Sequence, residues 1–362
     1  MINGKNENNL FFSQLLKRLA ENWGNEQINN FDYLRFGQKE HEIVNPAKNL
    51  SEIADYIKQL EAMYDLLVDK ESKEIFLQLL AFRILGHKKV RLPLSQQLYW
   101  ESIDNLKDVF DYNKKVNVNF ITSSIERYYA NLNVLGFNVE LFAAPRTILT
   151  QFLLKQYEHN TEDNTSIGAQ PGDIVIDGGA CWGEATLFFA DKVTESGKVF
   201  AFEFIPGNIE LLNKNIELNP QLKKRIEILK NPLWCESNVK MYFQDRGPAS
   251  RVSLGDFNES ENETYSLTID DLCEQKKLEK VDFIKMDIEG AEQNAIKGAE
   301  KTIKKFKPKL AISIYHSMDD FANIIHLING YNVGYKFYLN HFTIYSEETV
   351  LFATTESKEH SK

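Results

Sequence analysis

The chain has 362 residues, 43% of them hydrophobic and 26% charged, and a formal net charge of −10. This is an ordinary globular balance, with length enough for two domains and a sizeable core. The acid excess argues against a partner gripped by phosphate neutralisation. No apolar run reaches the roughly 18 residues a bilayer span needs. The start, MINGKNENNLFF, lacks the basic-then-apolar layout of a secretion signal. Cys181, Cys235 and Cys273 are far apart and odd in number, so they form neither a metal-type pair nor a disulfide framework. A reducing cytoplasm is the expected setting.

Before about residue 165 the pattern is mostly helical. Apolar residues recur at helical spacing over Leu10–Ala20, Ile53–Leu67 and Ile75–Leu85, the last with Gly86 as its stop. Strand formers gather at Asn131–Ala144, and Pro145 precedes a helical run over Thr147–Tyr157. No catalytic motif occurs in residues 1–165, which are expected to pack, to oligomerise the chain or to wall the substrate site. Residues 158–173, EHNTEDNTSIGAQPGD, read as a link too hydrophilic to pack.

Beyond the link, strands and helices alternate, which predicts an α/β doubly wound sheet over residues 166–356. IVID (174–177), VFAFEF (199–204), RIEILKN (225–231), VDFIKMD (281–287) and KLAISIY (309–315) read as strands. They are continuous apolar runs, as strands buried on both faces should be. Ser317 caps a helix that Gly330 stops, and VGYKFYL (333–339) and TVLFAT (349–354) close the chain as a hairpin-like pair. One segment breaks the alternation. VKMYFQ and YSLTI flank the polar stretch 245–264, which fits either an inserted hairpin with a lid or a disordered insertion.

The strand IVID runs into Asp177-Gly178-Gly179-Ala180-Cys181-Trp182-Gly183. Glycines there let the backbone approach a ligand and turn into a helix whose first N–H groups are free. The next strand ends in Glu203, an acid placed to take the two ribose hydroxyls of an adenosine. A carboxylate at Asp177 would repel a dinucleotide's pyrophosphate. It suits the ammonium and sulfonium of S-adenosylmethionine better. A tight turn without a ligand remains the plain structural alternative.

At this point the chain resembles the FkbM family of S-adenosylmethionine-dependent methyltransferases, over roughly residues 130–353. The resemblance rests on GDIVIDGGACWGEATLFFA (172–190), SLTIDDL (266–272) and, most distinctively, the D-x-E-G-x-E of VDFIKMDIEGAEQNAIKGAEKTI (281–303). KLAISIYH (309–316) and HFTIYSEETVLFA (341–353) agree with the family's C-terminal pattern. Cys181 departs from it, standing where the family has Asn. The resemblance implies a Rossmann-like class I methyltransferase sheet of seven strands, order 3-2-1-4-5-7-6 with the seventh antiparallel. It also implies a hydroxyl acceptor on a glycan, glycolipid precursor or small metabolite, and no nucleic acid. Asn231-Pro232-Leu233-Trp234 looks like an amino-methyltransferase motif but follows the third strand rather than the fourth. It reads as a strand-ending turn beside the adenine position.

Methyl transfer needs alignment, and an alcohol acceptor must also lose a proton. Ligands in open sheets sit beyond the carboxyl ends of strands. Asp287, His316 and His341 stand at the ends of the fourth, fifth and sixth strands and are the catalytic candidates. His316 would act as a base near neutral pH. The expected cofactor contacts are Asp177, Gly178, Gly179, Ala180, Gly183, Glu203, Asn231, Leu233 and Asp287. One Asp and one His do not establish a divalent metal, so none is assigned. In KMDIEGAE (285–292), Glu289 and Glu292 fall at a helix start and are read as holding the corner's shape, apart from Asp287. An NAD-dependent oxidoreductase and a non-catalytic scaffold with a vestigial site are the alternative functions.

Overall fold

Ile174–Gly178 (β6), Lys198–Phe202 (β7), Ile226–Leu229 (β8), Phe283–Met286 (β12), Lys309–Ser313 (β13), Lys336–His341 (β14) and Thr349–Thr354 (β15) form one seven-stranded sheet. Its order is β14-β15-β13-β12-β6-β7-β8. β15 runs antiparallel to both neighbours, and the other pairings are parallel. Counted along the sheet's own strands this is 3-2-1-4-5-7-6, the predicted class I order. The computed structural model describes residues 10–26, 32, 44–95, 97–120, 124–255 and 262–355.

The central strands are buried on both faces, β12 and β15 throughout, which is why they read as unbroken apolar runs. The crossover helices start where the sequence offers a start. Gly183 precedes Glu184–Lys192, Pro206 opens Pro206–Glu217, and Ser317 caps Met318–Asn329 by accepting from the Asp320 N–H. The helical run after β12 is split into Glu292–Lys297 and Glu300–Phe306. At the split, Gly298 lies against the Trp234 carbonyl, where an added Cβ would sit 2.1 Å from the oxygen.

The amino-terminal part holds helices Leu10–Trp23, Pro46–Ala54, Ile57–Leu66, Lys70–Leu85 and Gln97–Leu106. The predicted run Ile53–Leu67 is thus two helices. The run Thr147–Tyr157 is shorter than expected, a turn of α-helix over Pro145–Ile148 followed by a π-turn over Leu149–Leu153. Phe110–Asn119 (β1), Ser124–Asn131 (β2) and Glu140–Ala143 (β3) make a three-stranded antiparallel sheet. β1 escaped the sequence reading because its middle is polar and exposed and only Phe110 and Val118 are buried. Lys70–Leu85 packs on β14. Phe76 stacks on Phe321 at 5.6 Å, and the Leu339 N–H donates to Ser72 Oγ at 2.8 Å.

Two further elements bear on the site. The polar stretch 158–173 is not a loose link. His159–Asn160 (β4) pairs with Ser166–Ile167 (β5), and Thr161, Thr165, Ile167 and Ala169 are buried. Its hydroxyls satisfy the turn locally, since the Thr165 N–H donates to Thr161 Oγ1, so hydrophilicity does not prevent packing. In the insertion, Lys240–Gln244 (β9) is flanked by Arg251–Ser253 (β10) and Glu263–Tyr265 (β11), all antiparallel. VKMYFQ pairs as expected, but of YSLTI only Tyr265 joins it, opposite Lys240; Glu263, Thr264 and β10 come from the stretch read as loop. Residues 256–261 of the expected lid lie outside the described residues. Among the described residues no helix is long and apolar enough to cross a membrane.

Candidate active site

The glycine loop is built on backbone contact. Gly179 has φ +80°, and an added Cβ there would lie 1.9 Å from the Asp287 carbonyl oxygen. The Gly179 and Ala180 N–H groups donate to the Phe202 carbonyl, tying the loop to β7. Gly183, at φ +93°, starts the following helix against Leu212. Trp182 faces inward. Its Nε1 donates to Asn208 Oδ1 at 2.9 Å, Phe120 from the end of β1 stacks on it, and the Arg127 guanidinium lies 4.3 Å from its ring.

Asp177 corrects an expectation. It is fully buried and does not border the cavity beyond the loop. Its Oδ2 accepts from Thr186 Oγ1 at 2.6 Å, and its Oδ1 pairs with Lys285 Nζ at 3.0 Å. Lys285 stands opposite Asp177 in the β6–β12 register, so the two side chains share a face of the sheet. Its Nζ also donates to the carbonyls of Gly178 at 3.0 Å and Gly179 at 2.7 Å. Burial pulls the lysine toward neutrality. The Asp177 and Asp287 carboxylates outweigh it, and the pKa rises. The carboxylate that seemed free for a ligand's ammonium is neutralised from within, and the loop presents backbone to the cavity instead.

That cavity, whose empty space of about 550 Å³ runs into open solvent, lies at the carboxyl ends of β6, β7, β8 and β12. Gly179, Cys181, Glu203, Asn231, Leu233 and Asp287 border it, as do Gly247, Pro248, Ser250 and Val252 of the insertion. Glu203 Oε1 accepts from the Phe204 and Ile205 N–H groups, and Oε2 accepts from Asn208 Nδ2. Burial pushes this carboxyl up to about 7, against those hydrogen bonds. Asn231 donates to the Tyr265 carbonyl. The Leu233 side chain occupies the space beside Gly178.

The acid corner follows β12. Asp287 accepts from Tyr157 Oη at 3.0 Å and Tyr315 Oη at 3.1 Å. His316 Nε2 lies 3.2 Å from Asp287 Oδ1 and 3.8 Å from Glu289 Oε1, and its Nδ1 lies 3.1 Å from Glu292 Oε1. The three acids are therefore one cluster around a histidine, contrary to the sequence reading. Glu289, at φ +56°, and Gly290, at φ +98°, fold the chain back and bring Glu292 inward. Glu292 also holds the corner's shape, as expected, by accepting from the Ile288 and Gly290 N–H groups.

The cluster sets the protonation states. For His316, burial favours the neutral ring, but Asp287 and Glu292 outweigh it and raise the pKa to about 11. For Asp287, burial raises the pKa, but His316, Lys285 and Tyr157 bring it down to about 2. His316 is thus a caged imidazolium and not the near-neutral base expected. Donor atoms of Asp287, Glu292 and His316 lie within 4.8 Å of one another. The carboxylates flank opposite ring nitrogens, whereas a metal ion takes the lone pair of one. Glu289 differs from its neighbours, and burial raises it to about 7.

His341 stands apart. It borders neither the cavity at the glycine loop nor the one beside the corner. It is 3% exposed, with Nδ1 on Thr349 Oγ1 at 2.9 Å and Nε2 facing Thr343 Oγ1, and burial lowers it to about 3. It knits the β14–β15 turn. A second cavity of about 1020 Å³ opens on the corner's other side, bordered by Trp234, Arg251, Gln293, Lys297, His316 and Asp319 among others. Val252, Ile288, Glu289 and Ala291 border both cavities. Lys285, Tyr157, Tyr315 and Asn208 are site residues that sequence reasoning missed. Only Lys285 carried a signal, as a basic residue near the middle of VDFIKMD.

Residues 166–337 match the methyltransferase FkbM domain. The chain carries an FkbM methyltransferase domain. The FkbM domain includes the glycine loop, Glu203 and the acid corner, and it ends within β14. No curated protein matches the chain. Among solved structures, the methyltransferase FkbM of Methylobacillus flagellatus KT is 20% identical, with a TM-score of 0.51 over 84% of this chain. The chain spans 60% of that protein's length. Fibrillarin of Aeropyrum pernix, solved with bound S-adenosyl-L-methionine, is 12% identical (TM-score 0.38, 64% of this chain and 90% of that one). The O-methyltransferase of Bacillus cereus, solved in complex with SAH, is 16% identical (TM-score 0.34, 58% of this chain and 80% of that one).

Proposed function

We propose that the chain transfers a methyl group from S-adenosylmethionine to a hydroxyl of a glycan, glycolipid precursor or small metabolite. The observation that carries this reading is the pair of adjoining cavities, one at the glycine loop and one open beside it, meeting at the acid corner. A two-substrate transfer needs such a junction, because donor and acceptor must be aligned in line. The first cavity fits the donor. Gly179 borders it and lets the loop close on the Asp287 carbonyl, Glu203 stands at the β7 tip for the ribose, and Asn231 and Leu233 flank the adenine position. When bound, S-adenosylmethionine supplies an activated methyl group. The protein's task is to hold both partners, exclude water and manage one proton.

In this reading Asp287 stands at the donor side of the junction, His316 is its fixed counter-charge on the acceptor side, and His341 supports the turn above. Residues 166–356 form the methyltransferase unit, and residues 1–165, of which none among the described residues borders either cavity, pack against it and offer a surface for self-association. A net charge of −10 favours a sugar or metabolite over a nucleic acid, and three scattered cysteines fit a cytoplasmic setting. Calorimetry should show binding of S-adenosylmethionine and of its homocysteine product. No heat with either would refute the donor assignment. Mass spectrometry of metabolites and surface glycans with and without the gene should then find one species that loses a single methyl increment.

A further inference from the structure

We propose that Glu289 takes the proton from the acceptor hydroxyl, while His316 stands between Asp287 and Glu292 as their shared partner. The inference rests on the methyl-transfer reading. In the step, the acceptor oxygen bonds to the methyl carbon of the sulfonium donor. The carbon–sulfur bond breaks with its electron pair going to sulfur, and the hydroxyl proton moves to a Glu289 oxygen and on to solvent.

Position singles out Glu289. Of the corner's four ionisable groups, Asp287 borders only the first cavity and His316 only the second, while Glu289 borders both. Glu292 is fully buried and borders neither. Partners point the same way. Asp287 is held by two tyrosines and His316, and Glu292 by two backbone N–H groups and His316. Among the described residues no hydrogen bond reaches the Glu289 carboxylate. Its ion-pair partner is His316 Nε2 at 3.8 Å, and its side chain is 23% exposed. A carboxylate with free lone pairs at the junction of two cavities can accept a proton, whereas one saturated by donors cannot. Its backbone is left-handed, at φ +56°, a conformation unfavourable for a non-glycine residue.

The surrounding charges set its working range. Burial, Asp287 and Glu292 oppose ionisation, and His316 and Arg251 favour it, leaving the group near 7. It is therefore a carboxylate basic enough to take a proton and ionised enough at neutral pH to do so.

The test compares the full chain with Glu289→Gln and Glu289→Asp. Carbon-13 NMR of glutamate-labelled apoprotein should show a carboxyl titrating near pH 7 that Glu289→Gln removes. Calorimetry with S-adenosylhomocysteine should give dissociation constants within about twofold for all three proteins. Transfer of labelled methyl from S-adenosylmethionine into an extract of cells lacking the gene should slow by about 100-fold or more in Glu289→Gln. The limb of its pH profile that rises toward 7 should vanish, and Glu289→Asp should recover part of the rate. Transfer by Glu289→Gln within threefold of the parent, or with that limb intact, would overturn the proposal and leave the donor assignment standing. Failure of the parent to bind either cofactor form would overturn both.

Discussion

Lys285→Met should be among the most damaging single changes in the chain. The lysine is 2% exposed, and its ammonium serves Asp177 and the carbonyls of Gly178 and Gly179. Methionine fills a similar volume, so little packing is lost and the electrostatic effect dominates. Removing one partner of a buried ion pair leaves an uncompensated charge, which costs about 3–5 kcal/mol. Against a typical stability of about 5–15 kcal/mol, that is a large share. The two loop carbonyls lose their donor as well, so S-adenosylmethionine binding should weaken even where the fold persists. Adding Asp177→Asn removes the stranded charge and still leaves an acceptor for Thr186. The double variant should recover about 1–3 kcal/mol relative to the sum of the two single variants. Urea unfolding followed by tryptophan fluorescence measures all four proteins of the cycle. A loss below about 1 kcal/mol for Lys285→Met, or strict additivity in the cycle, would refute the argument that the charge matters more than the shape.

Gly179→Ala should lose about 3 kcal/mol or more and abolish cofactor binding, because its Cβ would sit 1.9 Å from a carbonyl oxygen at a positive φ; a thermal melt within two degrees of the parent would contradict this. The His316 ring proton resonance should stay flat between pH 6 and 8, since the group is held charged up to about 11. Its folded pKa is raised, so its stabilisation is full below its ordinary value of about 6.5 and declines as pH climbs toward 11. An NMR midpoint near 6.5 would remove the caged imidazolium. Glu203→Gln should weaken S-adenosylmethionine binding about tenfold or more by calorimetry, through loss of a charge-assisted contact. Glu203 is raised to about 7, so the folded state holds its proton more tightly than the unfolded chain. Stability should fall as pH rises from about 4.5 through 7, and the drop in urea midpoint should shrink in Glu203→Gln.

The sheet was legible because its strands are apolar end to end, and the starts of its helices because Pro206 and Ser317 have local reasons to sit where they do. β1 was not, since its stability comes from pairing with β2 and leaves little apolar pattern in its own sequence. The stretch 158–173 misled because polar composition hides turns that satisfy their own hydrogen bonds. At the site, the loop and Glu203 were visible as motif positions, but the roles assigned by charge were not secure. Asp177 looks free until the β6–β12 register brings Lys285 beside it. The corner looks like a strand followed by a helix. Two consecutive left-handed residues, Glu289 and Gly290, then turn three spaced acids into one shell around His316. His316 was correctly placed at the end of the fifth strand, yet its charge state depends on partners that only the fold assembles.

The approach of Gly179 to the Asp287 carbonyl has a consequence for how such a protein can change. The loop that would cradle the donor and the corner that would face the acceptor touch backbone to backbone, with no side chain between them to absorb a displacement. A shift of either by a few tenths of an ångström is passed directly to the other. Sequence drift at the donor loop must then be matched at the corner, and acceptor preference is free to diverge only through the outer wall of the second cavity, around Trp234, Arg251 and Lys297.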